Sequence, residues 1–114
     1  MFKKASDMTH EVRPKLRGGE GEAHFTHLFS ADELLGKASL CAIISLDPGC
    51  SIGEHPHNPD AELYYLLEGT LDVTDNGVHY TMEAGDAMIT GEGKAHSATN
   101  RSDKVARILA VVML

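Results

Sequence analysis

Gly49-Cys50-Ser51-Ile52-Gly53-Glu54-His55-Pro56-His57-Asn58-Pro59-Asp60-Ala61-Glu62, running on through Leu63-Tyr64-Tyr65-Leu66-Leu67-Glu68 to Gly69, is the stretch on which the fold turns. His55 and His57 stand two positions apart. In a strand, residues i and i+2 point to one face, so both imidazoles aim at one point. Glu62 opens the next apolar run and brings a carboxylate to the same place. His96, from a later strand, supplies a fourth donor. Imidazole with carboxylate suits Mn, Fe, Co, Ni or Zn and does not suit Ca or Mg alone.

Working outward, the chain alternates short apolar runs with glycine-containing turns. Upstream, Ala38 to Leu46 reads as a strand ended by Asp47-Pro48-Gly49. Downstream come Leu63 to Leu67, Thr70 to Thr74, Val78 to Met82, Ala87 to Thr90, His96 to Thr99 and Val105 to Leu114. Asp75-Asn76-Gly77 marks a hairpin turn. His24 to Phe29 is a short strand, and Ser30-Ala31-Asp32-Glu33 is a capping box that supports one helical turn, with Gly36 as its stop. Such spacing without a long helical pattern predicts an all-β barrel or sandwich. Residues 1–36 are expected to form an N-terminal arm with a short strand and a helical turn, and residues 37–114 the barrel.

The spacing of these residues resembles the cupin superfamily. Its first motif is Gly, five residues, His-x-His, three or four residues, Glu, six residues, Gly. Gly49, His55, His57, Glu62 and Gly69 match it throughout. The second motif is matched in register by Gly85, Gly93, His96 and Asn100. Gly91 stands where the family usually carries proline, which loosens a turn and touches no ligand. The resemblance implies a double-stranded β-helix, or jelly roll, preceded by the arm. It implies a divalent metal, manganese or iron first and zinc, nickel or cobalt as alternatives, held by His55, His57, Glu62 and His96. Two coordination positions would stay open for substrate, O₂ or water. Cupins are often dimers, so a homodimer is expected.

Alternation extends the site. With Glu62 inward, Tyr64 and Leu66 face inward too, while Leu63, Tyr65 and Leu67 face outward, to be covered by a partner subunit or by the arm. Tyr64, Glu54, Met88 and Asn100 are the candidate neighbours of the metal or of a substrate. His24 and His27 read as exposed or hydrogen-bonded. His10 and His79 read as surface residues.

Composition narrows the function. At 114 residues, 42% of them hydrophobic, the chain fits one domain, and a core this small leaves surface for a partner copy to bury. Seventeen acidic against ten basic residues give −7, which removes the electrostatic term that nucleic-acid binding requires. No apolar run approaches the roughly 20 residues of a membrane span, and Met1 to Asp7 carries no apolar signal core. A cytoplasmic protein is expected, with Cys41 and Cys50 as reduced thiols. The Arg17-Gly18-Gly19 segment and the Gly-Glu-Gly-Lys-Ala-His approach to His96 are similar to small bacterial cupins grouped with oxalate-binding proteins. The expected ligand is therefore a small oxyanionic metabolite, oxalate or a keto acid. Decarboxylation, isomerisation and O₂ chemistry are all open to such a site. The alternative is a non-catalytic binding or sensor module, since no proton-donating lid is legible. Only Lys94 reads as a cation near the site.

Overall fold

Alternating burial runs along the inner strands, and it sorts the chain into two facing sheets. In a computed structural model that describes residues 1–114, ten strands form: β1 Thr9–Pro14, β2 Glu22–Phe29, β3 Ala38–Leu46, β4 Ser51–Pro56, β5 Ala61–Glu68, β6 Thr70–Asp75, β7 Val78–Glu83, β8 Ala87–Thr90, β9 Ala95–Thr99 and β10 Ala106–Met113. The larger sheet has the order β1-β2-β3-β10-β5-β8 and the smaller β4-β9-β6-β7, with every pairing antiparallel. The jelly-roll expectation is met as two facing sheets rather than a closed ring of hydrogen bonds.

Between the sheets lies one apolar cluster, with Ile44, Leu66 and Ile108 from the larger sheet and Ile52, Leu71 and Val73 from the smaller. Its members sit at alternate positions, as half-buried strands require. On β5, Glu62, Tyr64 and Leu66 are buried. Tyr65 and Leu67 are 40% and 42% exposed, as the alternation dictates. The Asn76-Gly77 turn has φ of 52° and 81°, the doubly left-handed form that suits the twist of a two-residue hairpin.

The segment before residue 37 lies in the sheet. β1 pairs with β2, and β2 with β3, so these strands extend the larger sheet at its β3 edge, and Ala23 and Phe25 of β2 join the core. They lie at the opposite side of the sheet from β5 and β8, and do not cover Tyr65 and Leu67. The capping box is present: the Ser30 backbone N–H donates to Glu33 and the Glu33 N–H donates to Ser30 Oγ. It holds one turn, which ends at Leu35 and Gly36, both with positive φ. No helix is long and apolar enough to cross a membrane.

The two inner faces bring a row from each sheet together. On the smaller sheet His96 lies between His55 of β4 and Asp75 of β6, each its direct cross-strand neighbour. On the larger sheet Glu62 lies between Val112 of β10 and Thr90 of β8. His55–His96–Asp75 thus faces Val112–Glu62–Thr90.

Candidate metal centre

His57 stands one residue beyond β4, where the strand has ended. Its backbone is still fixed, because its N–H donates to Lys94 O and its carbonyl accepts from Gly93 N–H. The turn that precedes β9 thus sets the third imidazole beside the other two. His55, His57, Glu62 and His96 are all buried, and one donor atom from each lies within 4.8 Å of the others.

The outer ring nitrogens decide what the inner ones offer. His55 Nδ1–H donates to Gly53 O at 2.7 Å and His57 Nδ1–H donates to Asp60 Oδ1 at 2.9 Å; both partners can only accept. Thr90 Oγ1–H donates to Asp75 Oδ1 at 3.4 Å, and so accepts from His96 Nδ1–H at 3.1 Å. Each Nε2 is left with a lone pair pointing inward, the tautomer a metal requires.

Those lone pairs meet. His96 Nε2 lies 3.1 Å from His55 Nε2 and 3.2 Å from His57 Nε2. Glu62 Oε1 lies 3.0 Å from His57 Nε2, 3.1 Å from His96 Nε2 and 3.9 Å from His55 Nε2. Three lone pairs and a carboxylate at such distances repel unless a cation stands among them. Donor atoms about 2.1 Å from one cation and at right angles lie about 3.0 Å apart, against about 3.4 Å for a tetrahedral set. Four of the five spacings match the right-angled set, which leaves coordination positions free. The residues therefore fit a divalent transition metal, and the cluster is a candidate site for one.

Burial opposes ionisation of Glu62, but the surrounding His55, His96 and His57 rings outweigh it and hold the carboxyl low, at about 2. Glu62 is thus an anionic donor at neutral pH. Tyr64 stacks on the His96 ring at 4.8 Å between centroids, with an interplanar angle of 19°. Complete burial, and then the charge of Glu62, push its phenol well above the usual value, so it stays protonated.

Over the cluster lies a cavity of about 230 Å³, lined by His55, His57, Asp60, Glu62 and Tyr64, with Arg13 and Arg17 contributed from the N-terminal segment. Of the four candidate neighbours, Tyr64 is at the site. Glu54 is exposed and has no side-chain partner there. Met88 lines a separate cavity with Tyr80 and Ile89. Asn100 is buried, but it clamps the turn before β10: its Nδ2 donates to Leu46 O and Lys104 O, and its Oδ1 accepts from Ser102. Lys94 opens onto a third cavity with Asp60 and Asp75.

Sequence reasoning missed Asp60, Asp75 and Arg13, and read Arg17 only as part of the Arg17-Gly18-Gly19 resemblance, not as a residue of the site. The only available signal for Asp60 was its place three residues after His57 in a turn. Replacing Asp60 with asparagine leaves His57 without its acidic partner, and metal affinity is expected to fall about 10- to 100-fold. Competition with a fluorescent chelator measures this; an unchanged affinity removes Asp60 from the site.

Known proteins bear on this geometry. The family model for the cupin domain matches residues 42–112. An oxalate-binding protein of Thermotoga maritima is 38% identical over 114 residues, which is all of this chain and 94% of that protein. The crystal structure of a predicted oxalate decarboxylase from Thermotoga maritima superposes with a TM-score of 0.94 at 38% identity, over 100% of this chain and 99% of that one. The polyketide cyclase RemF of Streptomyces resistomycificus shares the fold at a TM-score of 0.80 and 20% identity, over 99% of this chain and 80% of that one.

Proposed function

The chain belongs to the cupin family, and from that premise we propose that it holds a divalent transition metal, manganese or iron first, on His55, His57, Glu62 and His96 and binds a small oxyanionic metabolite beside it. Oxalate or a short keto acid is the ligand class. The observation that carries this reading is the convergence of three lone-pair nitrogens and one carboxylate, with four of their spacings at 3.0 to 3.2 Å, in the wall of a partly open cavity. The 38% identity to an oxalate-binding protein over the whole chain supports the ligand class.

A bound metal supplies Lewis acidity toward two ligand oxygens. The chain's own residues do the rest. Asp60, Gly53 and Thr90 orient the three imidazoles. Leu16, Leu40, Ile44, Ile52 and Val112 supply the apolar part of the cavity wall. Conversion of oxalate to formate and CO₂ consumes one proton, and the lining offers no unengaged acid for it. Asp60 accepts from His57, Glu62 is ionised, and Tyr64 is held as a phenol. That favours binding without turnover as the resting reading. A homodimer through Tyr65, Leu67 and the 61%-exposed Ile89 belongs to the same reading, as does a cytoplasmic setting with free Cys41 and Cys50. A solution mass of one chain by light scattering removes the dimer.

The test is elemental analysis of protein purified without chelator or affinity metal, followed by calorimetry with oxalate and assay for formate. Near-stoichiometric metal and saturable oxalate binding are expected. Formate release at turnover rates replaces the binding reading with a decarboxylase. Absence of metal even after reconstitution with Mn or Fe overturns the proposal.

A further inference from the structure

Among the chain's four arginines, Arg17 alone has no carboxylate partner, although acidic residues outnumber basic ones by seventeen to ten. Arg13 pairs with Glu11, Arg101 with Asp72 and Arg107 with Glu68. Arg13 also lines the cavity, but the Nε–Nη2 edge of its guanidinium is engaged by the two Glu11 oxygens, at 2.9 and 3.0 Å, and the group lies over the Phe25 ring at 4.2 Å. Arg17 stands exposed at the rim of the same cavity as His55, His57 and Glu62.

The backbone that carries Arg17 is strained and held stiff. Its φ of 56° and ψ of 29° lie in the left-handed region that glycine adopts freely and arginine does not. The turn is pressed against β4: a Cβ on Gly19 would run into Ser51 O, and a Cβ on Gly53 into Arg17 O. Glu20 O accepts from Ser51 N–H at 2.9 Å, and Glu20 N–H donates to Ser51 Oγ at 2.8 Å. Local folding would be served better by glycine at position 17. A strained, rigidly mounted, unpaired cation at the rim of a ligand cavity is where a binding role is the economical explanation.

We propose that Arg17 is the residue that recognises the ligand's second oxyanion: its planar fork takes the carboxylate turned away from the His55–His57–Glu62–His96 cluster. The inference rests on the small-oxyanion reading above and adds selectivity for ligands with two oxyanionic ends. The free guanidinium suits bidentate pairing with a carboxylate, whereas a lysine offers only a point charge.

The experiment is calorimetry on the manganese-loaded full chain with oxalate and with acetate, for the wild type, Arg17→Gly, Arg17→Lys and Arg101→Gln. Glycine relieves the backbone strain, so the melting temperature of Arg17→Gly is expected to be unchanged or raised. Its oxalate affinity is expected to fall about tenfold or more, with much less change for acetate. Arg17→Lys falls between. Arg101→Gln makes the same change in net charge away from the cavity and leaves both affinities as they were. Wild-type oxalate affinity in Arg17→Gly overturns the role of Arg17 and leaves the metal reading standing. Metal-loaded wild type that takes up no oxalate overturns the small-oxyanion reading, and this inference with it.

Discussion

The His55→Ala/His57→Ala double variant holds no divalent metal, and its melting temperature does not respond to manganese. Two of three imidazoles are gone, and the remaining pair, His96 and Glu62, is 3.1 Å apart on opposing sheets. Two donors cannot match the affinity of four. In the wild type, a ligand that binds only the folded state adds about 4 kcal/mol at a thousand times its dissociation constant. For a domain of this size that is a rise of roughly 15 to 20 °C. The whole increment is expected to vanish in the variant. Thermal scans with and without manganese, beside elemental analysis, read it. A variant that still rises with manganese shows that the metal sits elsewhere on the acidic surface.

Gly53→Ala is the second large effect. The φ of Gly53 is not in the left-handed region, so alanine brings no backbone strain of its own. The penalty is steric: the added Cβ meets the Arg17 carbonyl and lies within about 3.0 Å of Gly19 N. Both are main-chain atoms that cannot rotate away. The 16–18 turn must lift from β4, and overpacking of this kind costs about 1 to 3 kcal/mol. The same displacement carries Arg17 off the cavity rim and disturbs Gly53 O, which orients His55. Urea midpoints and oxalate affinity are expected to fall together. An unchanged midpoint would falsify the close packing of the two glycines.

What the sequence made legible was local or periodic. The four candidate donors followed from the His-x-His pair and motif spacing, and the structure brings those side chains together, although His57 lies just past the end of its strand. The inward set Glu62, Tyr64 and Leu66 followed from alternation on β5. The capping box at Ser30 and Glu33 and the Asn76-Gly77 turn were legible because side chain and backbone conformation are coupled within four residues. Position across the sheets was less accessible. Asn100 shares parity with His96, yet its amide clamps Leu46 and Lys104, because the chain leaves β9 and turns there. Glu54 precedes His55 and still faces solvent, with the pairing of β4 and β9 shifting between Ile52 and His55. Asp75 reaches His96 through Thr90 of the opposite sheet, a relation no spacing rule contains. Arg13 and Arg17 arrive at the cavity from the far edge of the larger sheet, where the sequence reads as an arm with one short strand and a helical turn rather than as two paired strands.

β10 carries a consequence for how the chain is made. It lies between β3 and β5 and is the sole link between the β1-β2-β3 and β5-β8 portions of the larger sheet. It also follows every other strand in sequence. On the ribosome the two portions therefore emerge with their inner edges unsatisfied, and neither can join the other until residues 106–113 have been translated. Pairing of such wide sequence separation is slow, in the millisecond-to-second range of β proteins. During that interval the β3 and β5 edges are open templates for strands of other nascent chains. The larger sheet becomes one only once residues 106–113 have emerged and paired with both edges.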